Sequence, residues 1–205
     1  MPSPAAKPAR ERVLDAAHHL LLTAGLSRAT TKEIARAAEC SEAALYKYFA
    51  SKEELFVRVL TERLPQLAPL LQGLTAEPGR GTLADNLTEI ARRAALFYEQ
   101  SFPIAASLYA EPRLRQRHED AMREMGKGPH LPVEGLAAYL RAEQAAGRIS
   151  ADADPFAAAS LLLGACVQRA FAYEMSPGGR PDVDDFARRL ARTLLSGISV
   201  AGTPA

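Results

Sequence analysis

Residues 40–49 read CSEAALYKYF, two tyrosines, a lysine and a phenylalanine behind a run of small residues. Ser41 has the side chain of a helix N-cap, so a short helix starts there. On that helix Leu45 and Phe49, four apart, share a face that turns to a core. Ser41, Glu42, Ala43, Ala44 and Lys47 fall on the free face. The stretch is then either a helix offering that face to a partner or an aromatic plug in a small core. What precedes it favours the first. TTKEIARAA (30–38) sets Thr30 three residues before Glu33, a capping box, and turns Ile34, Ala35 and Ala38 inward. Glu39 and Cys40 form the turn. A helix of about eight residues, a turn of about three and a second helix of similar length make a helix-turn-helix. In that arrangement the first helix braces across a phosphate backbone and the second lays its N-terminal side chains on base edges. Tyr46 and Tyr48 flank the free face with hydroxyls directed at phosphates. Lys52, beside the start of the next helix, adds charge to backbone amides.

Each of these residues has a plainer reading. Tyr46 and Tyr48 can pack in the core with incidental hydroxyls, and Lys47 can be a solvated surface residue. Glu42 is either an acid favoured by the helix dipole or a reader of cytosine.

Working outward, residues 10–24 carry Val13, Ala17, Leu20, Leu21 and Ala24 at helical spacing, and Gly25 stops that helix. ASKEELFVRVLTERL (50–64) opens with a second box, Ser51 with Glu54, and starts a long helix. Helical patterns continue at 82–101, with Leu83, Leu87, Ile90, Ala94 and Phe97 on one stripe, and from Pro103 to Ala110. Others run from Pro112 to about Met125, from Pro132 to Gly147, from Asp154-Pro155 to about Met175, and from Val183 to Ile198. The expected fold is all-α, with about nine helices and no convincing strand. An N-terminal three-helix helix-turn-helix domain (9–68) is followed by a larger C-terminal helical domain (69–200) for ligand binding and dimerisation.

From residue 10 to residue 60 the sequence RERVLDAAHHLLLTAGLSRATTKEIARAAECSEAALYKYFASKEELFVRVL resembles the DNA-binding domain of the TetR family of transcriptional regulators. The resemblance rests on several interlocked motifs, TTKEIARAA and LYKYFASKEEL among them, and on the helix spacing between them. It implies a homodimer on a palindromic operator of double-stranded DNA, with repression released by a small ligand. Position by position, it implies backbone contacts at Thr31 and Lys32. It puts Ser41, Glu42, Ala43, Ala44 and Lys47 at the reading positions, and Tyr46, Tyr48 and Lys52 on phosphates. Glu39 stands where the family usually has the turn glycine, at a cost of about 1 kcal/mol if the residue must be left-handed. Glu42 sits where Lys or Arg is frequent, and Ala43 and Ala44 replace a usual Gly and a frequent Thr.

Composition agrees with a soluble helical protein of 205 residues. Hydrophobic residues make up 48% and charged ones 24%, aromatics only 6%, and there is no Trp. The net charge of +1 does not itself point to nucleic acid; residues 1–64 hold ten Lys/Arg against eight Asp/Glu, a mild excess of +2. Cys40 and Cys166 read as small buried hydrophobes in a reducing compartment. The N-terminus has no apolar signal region, and the apolar run FAAASLLLGACV (156–167) is too short to cross a bilayer. The expected location is the bacterial cytoplasm, with no membrane partner. Nucleophile-elbow, phosphate-loop and dinucleotide glycine motifs are all absent, so no enzyme and no cofactor are expected. His18, His19, His118 and His130 have no ligand spacing, so no metal site is expected.

Phe56, Phe97, Phe102, Tyr109, Met122, Met125 and Phe171 are candidates to line a cavity for a small apolar ligand, each with plain core packing as the alternative. The last two long helices (155–175 and 183–198) carry more apolar surface than one chain easily hides. Ala158, Gly164 and Ala165 would let helices approach closely, so a four-helix dimer interface is expected, with burial inside one chain as the alternative. An activator or chromosome-organising protein without a small-molecule ligand is the other functional reading.

Overall fold

The computed structural model describes residues 7–26, 28–110, 112–173 and 178–198. Among them every regular element is a helix: α1 (Ala9–Ala24), α2 (Thr31–Ala37), α3 (Glu42–Leu45), α4 (Lys52–Glu62), α5 (Ala68–Ala76), α6 (Leu83–Ala110), α7 (Pro112–Glu124), α8 (Leu131–Ala145), α9 (Pro155–Ala172) and α10 (Val183–Ile198). The all-α expectation holds, with three differences in the elements. α5 is separate from α4, with a proline in its first turn and Leu67, Leu71 and Leu74 buried along one side. α6 runs unbroken through Pro103, where two helices were expected. A proline removes one helical hydrogen bond but keeps a helical φ, so the pattern break at 102–103 is not a chain break. α3 is one α-turn only; Tyr46, Lys47 and Tyr48 follow in a looser turn held by Tyr48 N–H on Leu45 C=O at 3.0 Å and Phe49 N–H on Leu45 C=O at 3.2 Å.

The chain forms two compact units, Met1–Leu64 with Pro103–Gly128, and Pro65–Phe102 with Pro129–Ala205. The last turns of α6 and all of α7 therefore belong with the N-terminal helices, a grouping that a division of the chain at residue 68 does not contain.

In the first unit three side-chain caps start the helices where the sequence placed them. Thr30 Oγ1 accepts from Glu33 N–H at 3.2 Å, Ser41 Oγ from Ala44 N–H at 3.1 Å and Ser51 Oγ from Glu54 N–H at 3.0 Å. Each satisfies an amide that the helix leaves unpaired and contributes about 1 kcal/mol. Val13, Leu14, Ala17, Ile34, Leu45, Phe49, Leu55 and Val59 are buried together. Arg10 clamps α1 to α4 through two bonds to Glu62, at 2.8 and 2.9 Å, and its guanidinium lies 5.5 Å from the Phe49 ring centroid. Arg63 closes the other side of the same helix pair on Asp15 at 2.7 Å and on Glu11 at 2.5 Å. α7 packs on α4, with His118 buried between them and Arg117 within 3.9 Å of Glu53.

In the second unit α8 lies between α5 and α9, and α10 covers α9. Leu87, Ile90, Ala94, Leu136, Tyr139, Leu140, Ala159, Leu162 and Cys166 make one core. Gly135 lets α8 approach α5; a Cβ there would meet Leu71 Cδ1 at 3.2 Å. Cys166 is a buried small hydrophobe as expected, whereas Cys40 is only half-buried. Asp154 starts α9 by accepting from Phe156 N–H at 2.8 Å and Ala157 N–H at 3.1 Å. Arg169, 2% exposed, sits inside, bound to Glu99 at 2.8 Å and to the Pro181 carbonyl at 2.7 Å and stacked on Phe186 at 4.9 Å.

The last two helices differ in what they expose. α10 turns Ala187, Ala191 and Leu194 to the core and presents Asp184, Asp185, Arg188, Arg189 and Arg192 outward. α9 buries one side and exposes Phe156, Leu161, Val167 and Phe171 on the other. The surplus apolar surface expected of both helices belongs to α9. This helix has 18 residues, against the twelve of the apolar run, and at mean hydropathy 1.3 is by length and composition alone long enough to cross a membrane. The buried charge of Arg169 and six further core positions fit one side of it instead to the interior of a folded unit.

Candidate nucleic-acid interface

The site grows from the difference between the two sides of α3. Leu45 and Phe49 are 0% and 1% exposed, and burial of side chains this size stabilises by about 1.5–3 kcal/mol each. They root the segment. The opposite side is open: Ser41, Glu42, Ala43, Tyr46, Lys47 and Tyr48 are exposed, while Ala44 is half-buried. Tyr46 and Tyr48, 48% and 45% exposed, are not core aromatics. Their rings lie at the surface, where a hydroxyl can donate to a phosphate.

The turn before α3 shows how this sequence closes the motif without glycine. Glu39 has φ 53, the left-handed region, and is the one non-glycine residue of positive φ among the described residues. Cys40 N–H then bonds Ala35 C=O at 3.0 Å, which fixes the angle between α2 and α3. A contact that the sequence did not reveal ties their first residues together: the Thr31 hydroxyl donates to the Glu42 carboxylate. The two residues are eleven apart, so no helical periodicity links them.

Charge on this surface is sorted. Lys7, Arg10, Arg36, Arg58, Arg63 and Arg117 are engaged with carboxylates. Lys32 and Lys47 are exposed and, among the described residues, are in no ion pair. Lys52 is half-buried, its ammonium 5.1 Å from the Phe56 ring centroid at the first turn of α4. The surface around α3 therefore offers Lys32 and Lys47, two tyrosine hydroxyls and the start of α4. These groups suit a polyanion better than a small molecule.

The residues named for an apolar cavity fall into both units. Phe56 is a core residue of the first unit, 1% exposed, and Met122 and Met125 are half-buried there. In the second, Phe97 and Tyr98 meet edge to face at 5.2 Å between centroids, and Phe102 and Phe171 at 5.8 Å, with Phe171 64% exposed. The Tyr109 side chain lies outside the described residues. Two surface grooves, of ≈ 410 Å³ along Arg12, Asp15, His19 and Glu39 and of ≈ 360 Å³ along Tyr173, Phe186, Leu190 and Thr193, are lined by none of these seven. Burial pushes the Tyr98 and Tyr139 hydroxyls and the Cys166 thiol up to about 12, and the Tyr139 hydroxyl oxygen accepts from Asn86 Nδ2 at 2.9 Å. Tyr139 and Cys166 are groups of a sealed core, and Tyr98 is half-buried against it.

Known proteins share both the motif and the fold. Residues 13–59 match bacterial regulatory proteins of the tetR family. The chain is 29% identical over 135 residues to YvkB, an HTH-type transcriptional regulator of Bacillus subtilis, covering 66% of this chain and 67% of that one. It is 35% identical over 98 residues to the nucleoid occlusion factor SlmA of Haemophilus ducreyi, covering 47% of this chain and 45% of that one. Among solved structures, FadR of Bacillus subtilis in complex with stearoyl-CoA superposes with TM-score 0.66 at 19% identity, covering 92% and 98% of the two chains. SmeT, the repressor of the Stenotrophomonas maltophilia multidrug efflux pump SmeDEF, does so with TM-score 0.66 at 20% identity, covering 98% and 94%.

Proposed function

We propose that this chain, whose residues 13–59 match bacterial regulatory proteins of the tetR family, is a repressor that binds a palindromic operator as a homodimer in the cytoplasm. The observation that carries this is the two-sided α3 segment. Leu45 and Phe49 root it, and a polar, tyrosine-flanked face is left exposed among the described residues. Lys32, Lys47 and Lys52 with Thr31, Tyr46 and Tyr48 hold phosphates. Ser41, Glu42, Ala43 and Ala44 meet base edges. The exposed apolar side of α9 is the dimer surface, and the two α3 segments of a dimer would meet half-sites about one DNA turn apart. A small apolar ligand bound in the C-terminal helices favours a state whose spacing no longer fits. SmeT has been solved with triclosan and FadR with stearoyl-CoA, which supports a ligand of that character. A hundredfold release of DNA needs a difference in ligand affinity between the two states of about 2.7 kcal/mol.

One observation favours a second reading. The match to a nucleoid occlusion factor, at 35% identity, supports a chromosome-organising role without a small ligand. Footprinting of DNA upstream of the protein's own gene, repeated with candidate ligands, separates the two. A single protected palindrome that opens with ligand supports the repressor. Many protected sites that no ligand opens support the organiser. The double variant K47A/Y48A removes a charge and a hydroxyl from the open face and leaves the core untouched, so protection is lost at unchanged melting temperature. Protection that survives the double variant contradicts the assignment of this face.

A further inference from the structure

Neither Thr31 nor Glu42 is needed to end a helix. Thr30 already caps α2 and Ser41 already caps α3. α3 is one turn long, so the dipole gain for an acid at its start is small. Yet the Thr31 hydroxyl is given to Glu42 across the turn, at the surface that faces DNA in the proposed reading. A hydroxyl has one proton to donate. While Glu42 holds it, Thr31 has none for a phosphate oxygen, and the phosphate would also sit beside a carboxylate, like charge against like.

We infer that Glu42 is a specificity-determining residue that keeps Thr31 from the DNA backbone until a cytosine amino group takes its carboxylate. This rests on the reading of α3 as the DNA-reading segment. In the major groove cytosine presents the N4 amine, a donor, and a carboxylate is its natural acceptor. The carboxylate has acceptor sites for both donors, so release comes from movement: reaching the amine in the groove swings Glu42 away from Thr31, and the hydroxyl is freed to donate to a phosphate. Base reading and backbone contact are thereby coupled, and DNA without the cytosine meets both an unreleased hydroxyl and an uncompensated anion. The bare Ala43 beside it leaves Glu42 as the longest acceptor on the first turn, and the other charges of the open face, Lys32 and Lys47, are cationic. The device costs affinity for every sequence and returns it at one base pair per half-site.

The test is selection from a random-sequence duplex pool, run in parallel with the wild-type chain, E42A and E42Q. The selected duplex and a scrambled duplex of equal composition are then titrated across a salt series. The wild type is expected to select a motif with an invariant C·G pair in each half-site. E42A should lose that position alone and bind the scrambled duplex about tenfold tighter, with a salt slope steeper by up to about one unit. E42Q can still accept from Thr31 but has no charge, and its amide pairs with adenine, so the selected base should change from C to A. A merely structural role predicts that E42Q selects as the wild type does. Identical motifs from all three proteins overturn the inference and leave the DNA-binding reading standing. A wild-type chain that enriches nothing defeats that reading itself, and this inference with it.

Discussion

Glu39 is a glutamate in a conformation that glycine adopts freely, φ 53 in the turn between α2 and α3. Left-handed geometry costs a side-chain-bearing residue about 1 kcal/mol or more, and no hydrogen bond to the Glu39 side chain offsets it among the described residues. E39G is therefore expected to stabilise the chain by about 1 kcal/mol, which raises the melting temperature by about 2–4 °C for a protein of this size. DNA affinity should stay unchanged, because the turn geometry is the same. A lower melting temperature would mean that the glutamate makes a contact that the described atoms do not reveal. The resemblance, which puts a glycine where Glu39 stands, made the strain at this position legible if the turn were left-handed. The Thr31–Glu42 bond was not, because a side-chain pair across a turn leaves no periodic trace.

At the scale of helices, the α1–α4 clamp sets the acid stability of the first unit. The hydrogen bond from Lys7, then that from Arg63, holds the Asp15 carboxyl below its usual range, and the Arg10 hydrogen bond does the same for Glu62. Groups with depressed pKa values bind protons more readily when unfolded, so their stabilisation is present above pH ~4 and is lost as pH falls through their folded values. Burial lowers the His118 imidazole, which also disfavours the folded state once the unfolded histidine starts to protonate below pH ~6.5. Stability should thus be flat near neutrality, decline from about pH 6 and fall further below about pH 4. D15N/E62Q should flatten the lower limb. The pairs are partly exposed, so the effect is under about 1 kcal/mol each. An unchanged acid limb in that variant would place the acid-sensitive groups elsewhere.

Elements bounded by caps were legible for a physical reason: Thr30, Ser41, Ser51 and Asp154 state a helix start in one residue. The continuity of α6 through Pro103 and the separateness of α5 were not legible. Packing decides both, and local propensity is too weak to announce it. The exposed face of α3 was legible from Leu45 and Phe49, whose spacing fixes which side turns outward.

For the whole molecule, the proposed dimer follows from α9. Leu161 and Phe171, 67% and 64% exposed, lie on the side of the helix that the described residues leave largely open, with only Phe102 edge to face against Phe171. Sedimentation should give twice the 22.1 kDa chain mass, and L161E/F171E should give the single mass with the helical content kept. A wild-type chain that sediments at the single mass at micromolar concentration would rule out α9 as a stable interface. The sequence pointed to two apolar helices here and the structure keeps one. The moment of α10 is spent inward, a distinction that needs the position of the core and not only the pattern.

Salt dependence of DNA binding by the intact chain bears most directly on the regulator itself. The duplex footprinted upstream of its gene is titrated with protein from 50 to 200 mM salt. In the proposed dimer, Lys32, Lys47 and Lys52 on two heads would neutralise about six phosphates. The slope of log K against log salt should therefore be near −5, and affinity should fall about a thousandfold over that range, with two chains bound per palindrome. No binding to any fragment at the lowest salt, or binding indifferent to both salt and K47A/Y48A, would contradict a DNA-binding regulator built on this face.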